Sequence, residues 1–448
     1  MTAWFFDRLR SFGNAEAIVH GGRRVDYAHL MELTQEWLAY LGRSGIEAGQ
    51  VVALEAVSGI DACAGLLALI STGAVAVPLT PLPEAKRAEF LAVAEIEKVI
   101  TVDPGSGARS LADTGRRAGH PLYGRLRADR TPGLVLFSSG TTGRSKASVL
   151  DFAKMLAKYR VLRRPARTVG FLNLDHIGGI NTLMHTLSQG GALVTIAERT
   201  PDSVCAAIAE HRIEVLPTTP TFLNMLLISG AHTRHDLSTL RLITYGTEPM
   251  PLGVLQRLAV ALPEVRLKQT YGLSELGILS TQSRGNDSLW VKLGGDGFEY
   301  RIRDGVLWIR SDMAMLGYLN APAPFDEDGF FNTQDAVEVD GEYVRILGRK
   351  SEIINVAGEK VYPSEVENVL LELPYVADAT VSGRPSHVTG QVVTATIRLT
   401  QPDDAREVER RVRAYCRDRL DAFKVPQMVT VTGEDQHSDR FKKIRGAS

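Results

Sequence analysis

The chain has 448 residues, enough for two or three domains, each with its own core. A hydrophobic content of 44% and a charged content of 23% are those of an ordinary globular protein, and 51 Lys+Arg against 52 Asp+Glu leave a net charge of -1. No global field therefore favours nucleic acid or an anionic membrane, and any anion must be bound locally.

Tyr27, Leu30, Trp37 and Leu41 recur at helical spacing after Asp26, a favourable N-cap, so a helix is predicted over 27–41. A strand is expected at 51–56. The longest apolar stretch, 62–78, is interrupted by Gly65, Ser71, Thr72 and Gly73. It reads as a buried helix over 62–72 running into a strand at 74–79, not as a membrane span. No charged segment followed by an apolar one opens the chain, so export is not expected. Cys63, Cys205 and Cys416 lie far apart and fit neither a zinc pattern nor a disulfide framework, which points to a reducing cytoplasm.

The apolar run 133–136 leads into Phe137-Ser138-Ser139-Gly140-Thr141-Thr142-Gly143-Arg144-Ser145-Lys146. A buried strand would thus end in a loop with five hydroxyls, two glycines and a lysine. Glycines let successive N–H groups turn inward, and the hydroxyls and ammonium add donors for an anion with many oxygens, a polyphosphate being the simplest. The spacing is not that of a P-loop, since Lys146 does not follow a glycine. A solvated polar loop is the other reading of these residues alone.

Strands are further expected at 193–196 and 241–245. Alternation of helix and strand up to about residue 280 argues an α/β architecture with largely parallel sheets. Near 298 the texture changes to two hairpins, 298–310 around Asp304-Gly305 and 337–347 around Asp340-Gly341, which mark a β-rich subdomain of about 285–348. Ser364 and Glu367 then have capping-box spacing at a helix start. A strand at 392–399 and an amphipathic helix carrying Val408, Val412, Tyr415 and Cys416 complete a small α+β unit. The expected organisation is a large N-terminal domain, 1–348, and a small mobile lid domain, 349–448.

The series of motifs resembles the adenylate-forming superfamily of acyl- and aryl-CoA ligases, luciferases and peptide-synthetase adenylation domains. The resemblance runs through nearly the whole chain, and its specificity comes from order and spacing. Thr72-Gly73-Ala74-Val75-Ala76-Val77-Pro78-Leu79 is similar to the early family strand, and Ser138 to Lys146 to the phosphate loop. Asp175-His176-Ile177-Gly178 resembles the acyl-ligase histidine motif, and Tyr271-Gly272-Leu273-Ser274-Glu275 the Tyr-Gly-x-Thr-Glu motif. Gly317-Tyr318, Asp335, Gly348-Arg349, Gly358-Glu359-Lys360-Val361, Lys424-Val425-Pro426 and Lys443-Ile444 follow in family order.

The resemblance implies that ATP, with Mg2+, activates a carboxylic acid to an acyl adenylate. A carboxylate must attack the α-phosphate while pyrophosphate leaves, so negative charge has to be screened at both centres. By resemblance Ser138, Ser139, Gly140, Thr141, Thr142, Gly143 and Lys146 hold the phosphates, Tyr271 stacks on the adenine, and Gly246, Thr247, Glu248 and Gly272 also belong to the nucleotide site. Asp335 and Arg349 take the ribose, Ser274 contacts the α-phosphate, and Glu275 holds the metal, a hard cation suited to carboxylate oxygen. Without the resemblance, Glu275 reads as a helix cap, Asp335 as a turn residue, His176 as a polar strand end and Lys443 as a solvated terminal lysine.

Within the resemblance, Lys443 bridges carboxylate and α-phosphate, and His176 stands at the mouth of an acid pocket bordered by Ile177, Gly179, Gly246 and Gly272. Amino-acid-activating relatives carry an aspartate at the position of Ile177. An apolar residue cannot pair a buried ammonium, so the implied substrate is a fatty, aryl or other acid without one. Val356, Ala357 and Gly358 would form the acceptor channel, and Lys350-Ser351 the hinge about which the small domain turns.

Departures from the family pattern are Ser145 for proline and Ala147 for glycine in the loop, Gln334 for glycine before Asp335, Ser351 at the hinge, and Lys442 for glycine before Lys443, so that Lys442 and Lys443 are both candidates for the catalytic lysine. Ser145 lacks a fixed φ and is expected to loosen the loop. Together these mark a divergent branch, a dedicated biosynthetic enzyme rather than a housekeeping ligase. The expected acceptor is CoA; the alternatives are the phosphopantetheine of a free-standing carrier protein, or an amine. A nucleotide-binding homologue without turnover is the reading from another class.

Overall fold

The computed structural model describes residues 2–138, 145–434 and 436–437. Two seven-stranded sheets dominate the larger part. One runs Arg266–Gln269, Leu242–Tyr245, Val215–Thr218, Arg167–Gly170, Ala192–Thr195, Glu16–His20 and Arg23–Asp26, parallel except for its last pair. The other runs Gly317–Tyr318, Lys146–Asp151, Gly133–Ser138, Val75–Leu79, Val51–Glu55, Lys98–Val102 and Arg109–Asp113, with a parallel centre and antiparallel flanks.

The helices Tyr27–Arg43, Ile60–Thr72 and Ile177–Ser188 share one apolar core with both sheets. Ile60–Thr72 is buried on nearly every side, as its unbroken apolar sequence requires. Tyr27–Arg43 instead buries Tyr27, Leu30, Met31, Thr34, Trp37 and Leu41, and begins where the Asp26 carboxylate accepts from the His29 N–H at 2.7 Å. A second core lies under the helices Pro201–His211, Pro220–Ser229 and Leu252–Ala261 on the outer face of the first sheet.

The β-rich part is a six-stranded antiparallel sheet that includes Phe298–Arg303, Val306–Ser311, Phe331–Asp340 and Tyr343–Arg349. The last of these leads through the short 3-10 turn Lys350–Glu352 into a separate five-stranded sheet, whose long hairpin Val376–Ser386 and Gly390–Leu399 packs against Pro363–Leu370 and Ala405–Arg417 around its own apolar core. One buried side chain ties the two parts. Asn224, on Pro220–Ser229, donates to the Ala377 carbonyl at 2.8 Å and accepts from Arg257 at 3.2 Å.

The expected capping box is not formed. Pro363 takes the first helical position, after Tyr362, and the Ser364 hydroxyl donates instead to the Leu347 carbonyl at 2.6 Å, across the connection between the two parts. Glu367 is buried and accepts from the Val381 N–H at 3.0 Å. Both groups found tertiary partners that the local spacing could not reveal. Cys63, Cys205 and Cys416 are free and buried. Among the described residues no helix is long and apolar enough to cross a membrane.

Candidate active site

Four segments meet where the second sheet, the six-stranded sheet and the strand end after Gln269 converge. Tyr271 follows Arg266–Gln269, Glu275 lies in the turn between Gly272–Leu273 and Gly277–Ile278, Tyr318 is on the edge strand beside Lys146–Asp151, and Asp335 is in the interior of Phe331–Asp340. All four are buried.

Asp335 is the best-defined group. Its Oδ1 accepts from Arg349 Nε at 2.8 Å, directly across the antiparallel pair Phe331–Asp340 and Tyr343–Arg349, and its Oδ2 accepts from the Tyr271 hydroxyl. The Asp335 N–H donates to Thr333 Oγ1 at 3.1 Å, and Arg349 also donates to the Thr333 carbonyl at 3.2 Å. Burial pushes the Asp335 carboxyl above its ordinary value, against the pull of Arg349 and the Tyr271 hydroxyl. Burial likewise raises Tyr271, with Asp335 adding to it. For Arg349, burial opposes the charge, but Asp335, Tyr271 and Glu275 outweigh it and hold the guanidinium above its usual value. A carboxylate offers about four lone-pair sites. Two are engaged here, so two remain for a pair of vicinal hydroxyls.

The second cluster centres on Glu275. Its Oε1 accepts from the Tyr318 hydroxyl at 2.6 Å, and Ser138 Oγ stands 3.5 Å away, at the limit of a hydrogen bond. Lys146 Nζ lies 5.2 Å above the Tyr318 ring. Ser138 and Lys146 are opposite each other on antiparallel strands, Ser138 beside Glu275 and Lys146 over Tyr318. Ser139, Gly140, Thr141, Thr142 and Gly143 lie outside the described residues, as do Lys442 and Lys443. The loop's second stem is held by Asn320, whose Oδ1 accepts from the Ala147 N–H at 3.1 Å and whose amide donates to the Ser145 carbonyl at 2.8 Å.

Among the described residues no group of three His, Cys, Asp or Glu could hold a metal by itself. Mg2+ does not need one, because it keeps water and is bound through one or two carboxylates together with substrate phosphates. A single buried carboxylate beside the loop stem fits that donor set.

His176 caps Ile177–Ser188, its Nδ1 accepting from the Gly178 N–H at 2.9 Å. Ile177 packs into the large core, and Gly179 is enclosed so tightly that a Cβ there would lie 2.0 Å from the Asn173 carbonyl oxygen. Gly246 is bounded in the same way by Thr270 Oγ1, 2.6 Å from where a Cβ would stand. Glu248 accepts from the Thr221 N–H at 2.7 Å, and Thr247 between them has φ +76°. Gly272 pairs with Ile278, and Ser274 is half-buried in the turn beyond it. Gln334, where the resemblance expected glycine, has φ +61°, a left-handed backbone that glycine adopts without strain.

Val356, Ala357 and Gly358 form the hairpin tip between Ile354–Val356 and Glu359–Val361, with Val356 buried and the other two exposed. They lie in the five-stranded sheet, apart in sequence and fold from the two clusters. Lys350 and Ser351 occupy the 3-10 turn immediately after Arg349. Tyr318 and Asn320 are the functional candidates that reading the chain left without a role. The signal for them was present, since Gly317-Tyr318 stands in the motif series and Asn320 is two residues further on.

A model of AMP-binding enzymes matches residues 5–319, and one of the AMP-binding enzyme C-terminal domain matches residues 365–442. A long-chain-fatty-acid–CoA ligase of Mycobacterium tuberculosis is 26% identical over 91% of this chain and 89% of its own. An indoleacetate–CoA ligase of Aromatoleum aromaticum is 30% identical over 68% of this chain and 64% of its own. In fold, the chain is similar to the crystal structure of an anthranilate CoA ligase in complex with anthranoyl-AMP, at 18% identity and a TM-score of 0.80, covering 98% of this chain and 95% of that one.

Proposed function

The chain belongs to the AMP-binding enzyme family, and on that premise we propose that it is an AMP-forming acid–thiol ligase, which activates a carboxylic acid with ATP and passes the acyl group to CoA. The observation that carries this reading is the paired network Tyr271–Asp335–Arg349 beside Glu275–Tyr318–Lys146. One cluster offers a ribose acceptor next to an aromatic wall; the other offers a carboxylate and a cation at the stems of a hydroxyl-rich loop.

In the adenylation step Asp335 accepts the ribose hydroxyls on its two remaining sites, and Arg349 favours its charged form against the pull of burial. Tyr271 stacks on the adenine and is held in place through its hydroxyl. Lys146, with the loop from Ser138, screens the β- and γ-phosphates, and Ser274 donates to the α-phosphate. Glu275 would hold Mg2+, which supplies charge neutralisation at the phosphates when bound. Lys443 brings its ammonium between the acid's carboxylate and the α-phosphate, so that two anions can approach. The carboxylate oxygen then displaces pyrophosphate from the α-phosphorus.

For the second step the part beyond Arg349 turns about Lys350-Ser351 and carries Val356-Ala357-Gly358 to the site, where a thiol attacks the acyl carbon and AMP leaves. CoA is the proposed thiol because CoA ligases recur among the named relatives. The test is acceptor trapping. With ATP and a turned-over acid, CoA, a phosphopantetheinylated carrier protein and hydroxylamine are offered in turn. Acyl-CoA with stoichiometric AMP and pyrophosphate is expected. Thioester on the carrier but never on CoA would overturn the choice of acceptor.

A further inference from the structure

Asn224 lies in the middle of Pro220–Ser229, a helix that packs Phe222, Leu223 and Leu226 into the second core. It is 7% exposed, so both ends of its amide have to find partners inside the protein. The oxygen accepts from Arg257 at 3.2 Å, and the nitrogen donates to the Ala377 carbonyl at 2.8 Å. These two partners fix the direction of the amide. A guanidinium can only donate and a carbonyl can only accept, so an amide turned end for end would lose both bonds.

Ala377 belongs to the small part beyond Arg349. It is the extra residue of a bulge, since Val376 pairs with Leu399 and Asp378 with Arg398, and a bulged residue is left out of the ladder. Its carbonyl is taken instead by Asn224, from the other part of the molecule. The helix that supplies Asn224 starts at the proposed nucleotide site. One turn before Asn224, the Thr221 N–H donates to Glu248 at 2.7 Å.

In this orientation the tip Val356–Gly358 does not face the site. Ala357 and Gly358 are exposed, and their N–H groups donate within the small part, to the Thr389 carbonyl at 2.8 Å and to Asn355 Oδ1 at 2.9 Å. A tip inserted between the two parts would be covered. The orientation that Asn224 holds is therefore not the one that delivers a thiol. Ala377 and the tip share one five-stranded sheet, so a turn about Lys350-Ser351 that brings the tip in carries Ala377 away from Asn224.

We propose that Asn224 is a positioning residue that holds the small part in the orientation used for adenylation, and that its bond to Ala377 sets how the enzyme divides its time between the two half-reactions. The assignment rests on the acid-activating reading for the naming of the two steps, while the orientation itself can be measured without turnover.

The experiment compares the full-length wild type with Asn224→Asp, Asn224→Leu and Arg257→Leu. Asn224→Asp keeps the volume and the bond to Arg257 but has no N–H for the Ala377 carbonyl. Asn224→Leu removes the amide, and Arg257→Leu removes only the group that aligns it. In the first arm, spin labels are placed at Val260→Cys and Val388→Cys, which are 83% and 92% exposed and lie one on each part. The native cysteines are buried, so labelling is confined to these two. Pulsed EPR then reads the distance between the labels with no ligand present. Loss of one buried hydrogen bond corresponds to roughly a 5- to 30-fold change in an equilibrium. Asn224→Asp and Asn224→Leu should shift the ratio of docked to displaced molecules by that factor, and Arg257→Leu by less. In the second arm the half-reactions are separated, as ATP–pyrophosphate exchange with an active acid and as thioester formation from its preformed adenylate and CoA. The exchange kcat should fall in proportion to the docked population, with the KM for ATP unchanged, while thioester formation should not fall. Redistributed distances with no acid supporting exchange would sustain the role of Asn224 and sink the acid-activating reading. Distances unchanged in both Asn224 variants, or both half-reactions lowered alike, would overturn the role of Asn224 and leave acid activation standing.

Discussion

The network around Asp335 and Glu275 and the surroundings of Lys158 are built on opposite electrostatic plans. In that network each carboxylate has a donor: Asp335 takes Arg349 on one oxygen and the Tyr271 hydroxyl on the other, and Glu275 takes the Tyr318 hydroxyl. Lys158, by contrast, donates to two neutral groups, Asn181 Oδ1 and the Ile278 carbonyl, while Arg163 and Lys268 add to the lowering that burial imposes on its ammonium. A self-satisfied network is already arranged for a ligand that is the same in every turnover.

The largest effect should come from breaking the network around Asp335. Asp335→Ala removes the proposed ribose acceptor and takes from Arg349 and Tyr271 the carboxylate that both bond. Two hydrogen bonds to a charged group are together worth on the order of 3–6 kcal/mol, so exchange should fall by at least about 100-fold, chiefly through the KM for ATP. Retention of wild-type KM would place the ribose elsewhere.

Next is Asn320→Ala, which frees the Ser145 carbonyl and the Ala147 N–H. Two neutral hydrogen bonds correspond to roughly a 5- to 30-fold rise in KM for ATP. An unchanged KM would mean that the loop stem is fixed by other contacts.

The surroundings of Lys158 make their own prediction in the pH dependence of stability, read by denaturant melts. Lys158 titrates near 8 in the folded chain against 10.5 for the ordinary value. Between those limits the unfolded chain holds more protons, so stability rises with pH across that window, and below it the cost of holding the ammonium charged in the folded chain is fully present. Lys158→Met should therefore be more stable than the wild type at neutral pH, with the advantage shrinking from about 8 towards 10.5. By the same reasoning, His185→Gln should abolish a loss of stability as pH falls from 6.5 to about 4. Solvent contact at both groups keeps these effects modest, and a pH-independent difference would contradict the lowered values.

The smallest effect is at Gln334. Its left-handed backbone carries strain that Gln334→Gly relieves, offset by glycine's greater freedom in the unfolded chain. The net gain should be no more than about 1 kcal/mol, seen as a small rise in melting temperature. A loss of stability would mean that the Gln334 side chain makes a contact worth more than the strain.

The network around Asp335 and Glu275 was legible in the chain because its parts lie in short local motifs, each with its own spacing: Tyr271 through Glu275, Gly317-Tyr318, and Asp335 with Arg349 two strand-lengths apart. The contact of Lys158 with Asn181 and the Ile278 carbonyl was not legible, because the three come from segments that only the tertiary fold brings together. The Ser364–Glu367 spacing misled for the same reason, since both side chains answered to distant partners. Ser145 was read as a weak point of the loop. Its carbonyl and the next but one N–H are in fact held by Asn320, a restraint supplied from another segment in place of a fixed φ.

The central claim is tested most directly by ATP–pyrophosphate exchange with no acceptor present. Incorporation of labelled pyrophosphate into ATP that depends on an added carboxylic acid, and that is lost in Asp335→Ala, is the predicted result. ATP binding with no exchange across mono- and dicarboxylic acids alike would contradict it.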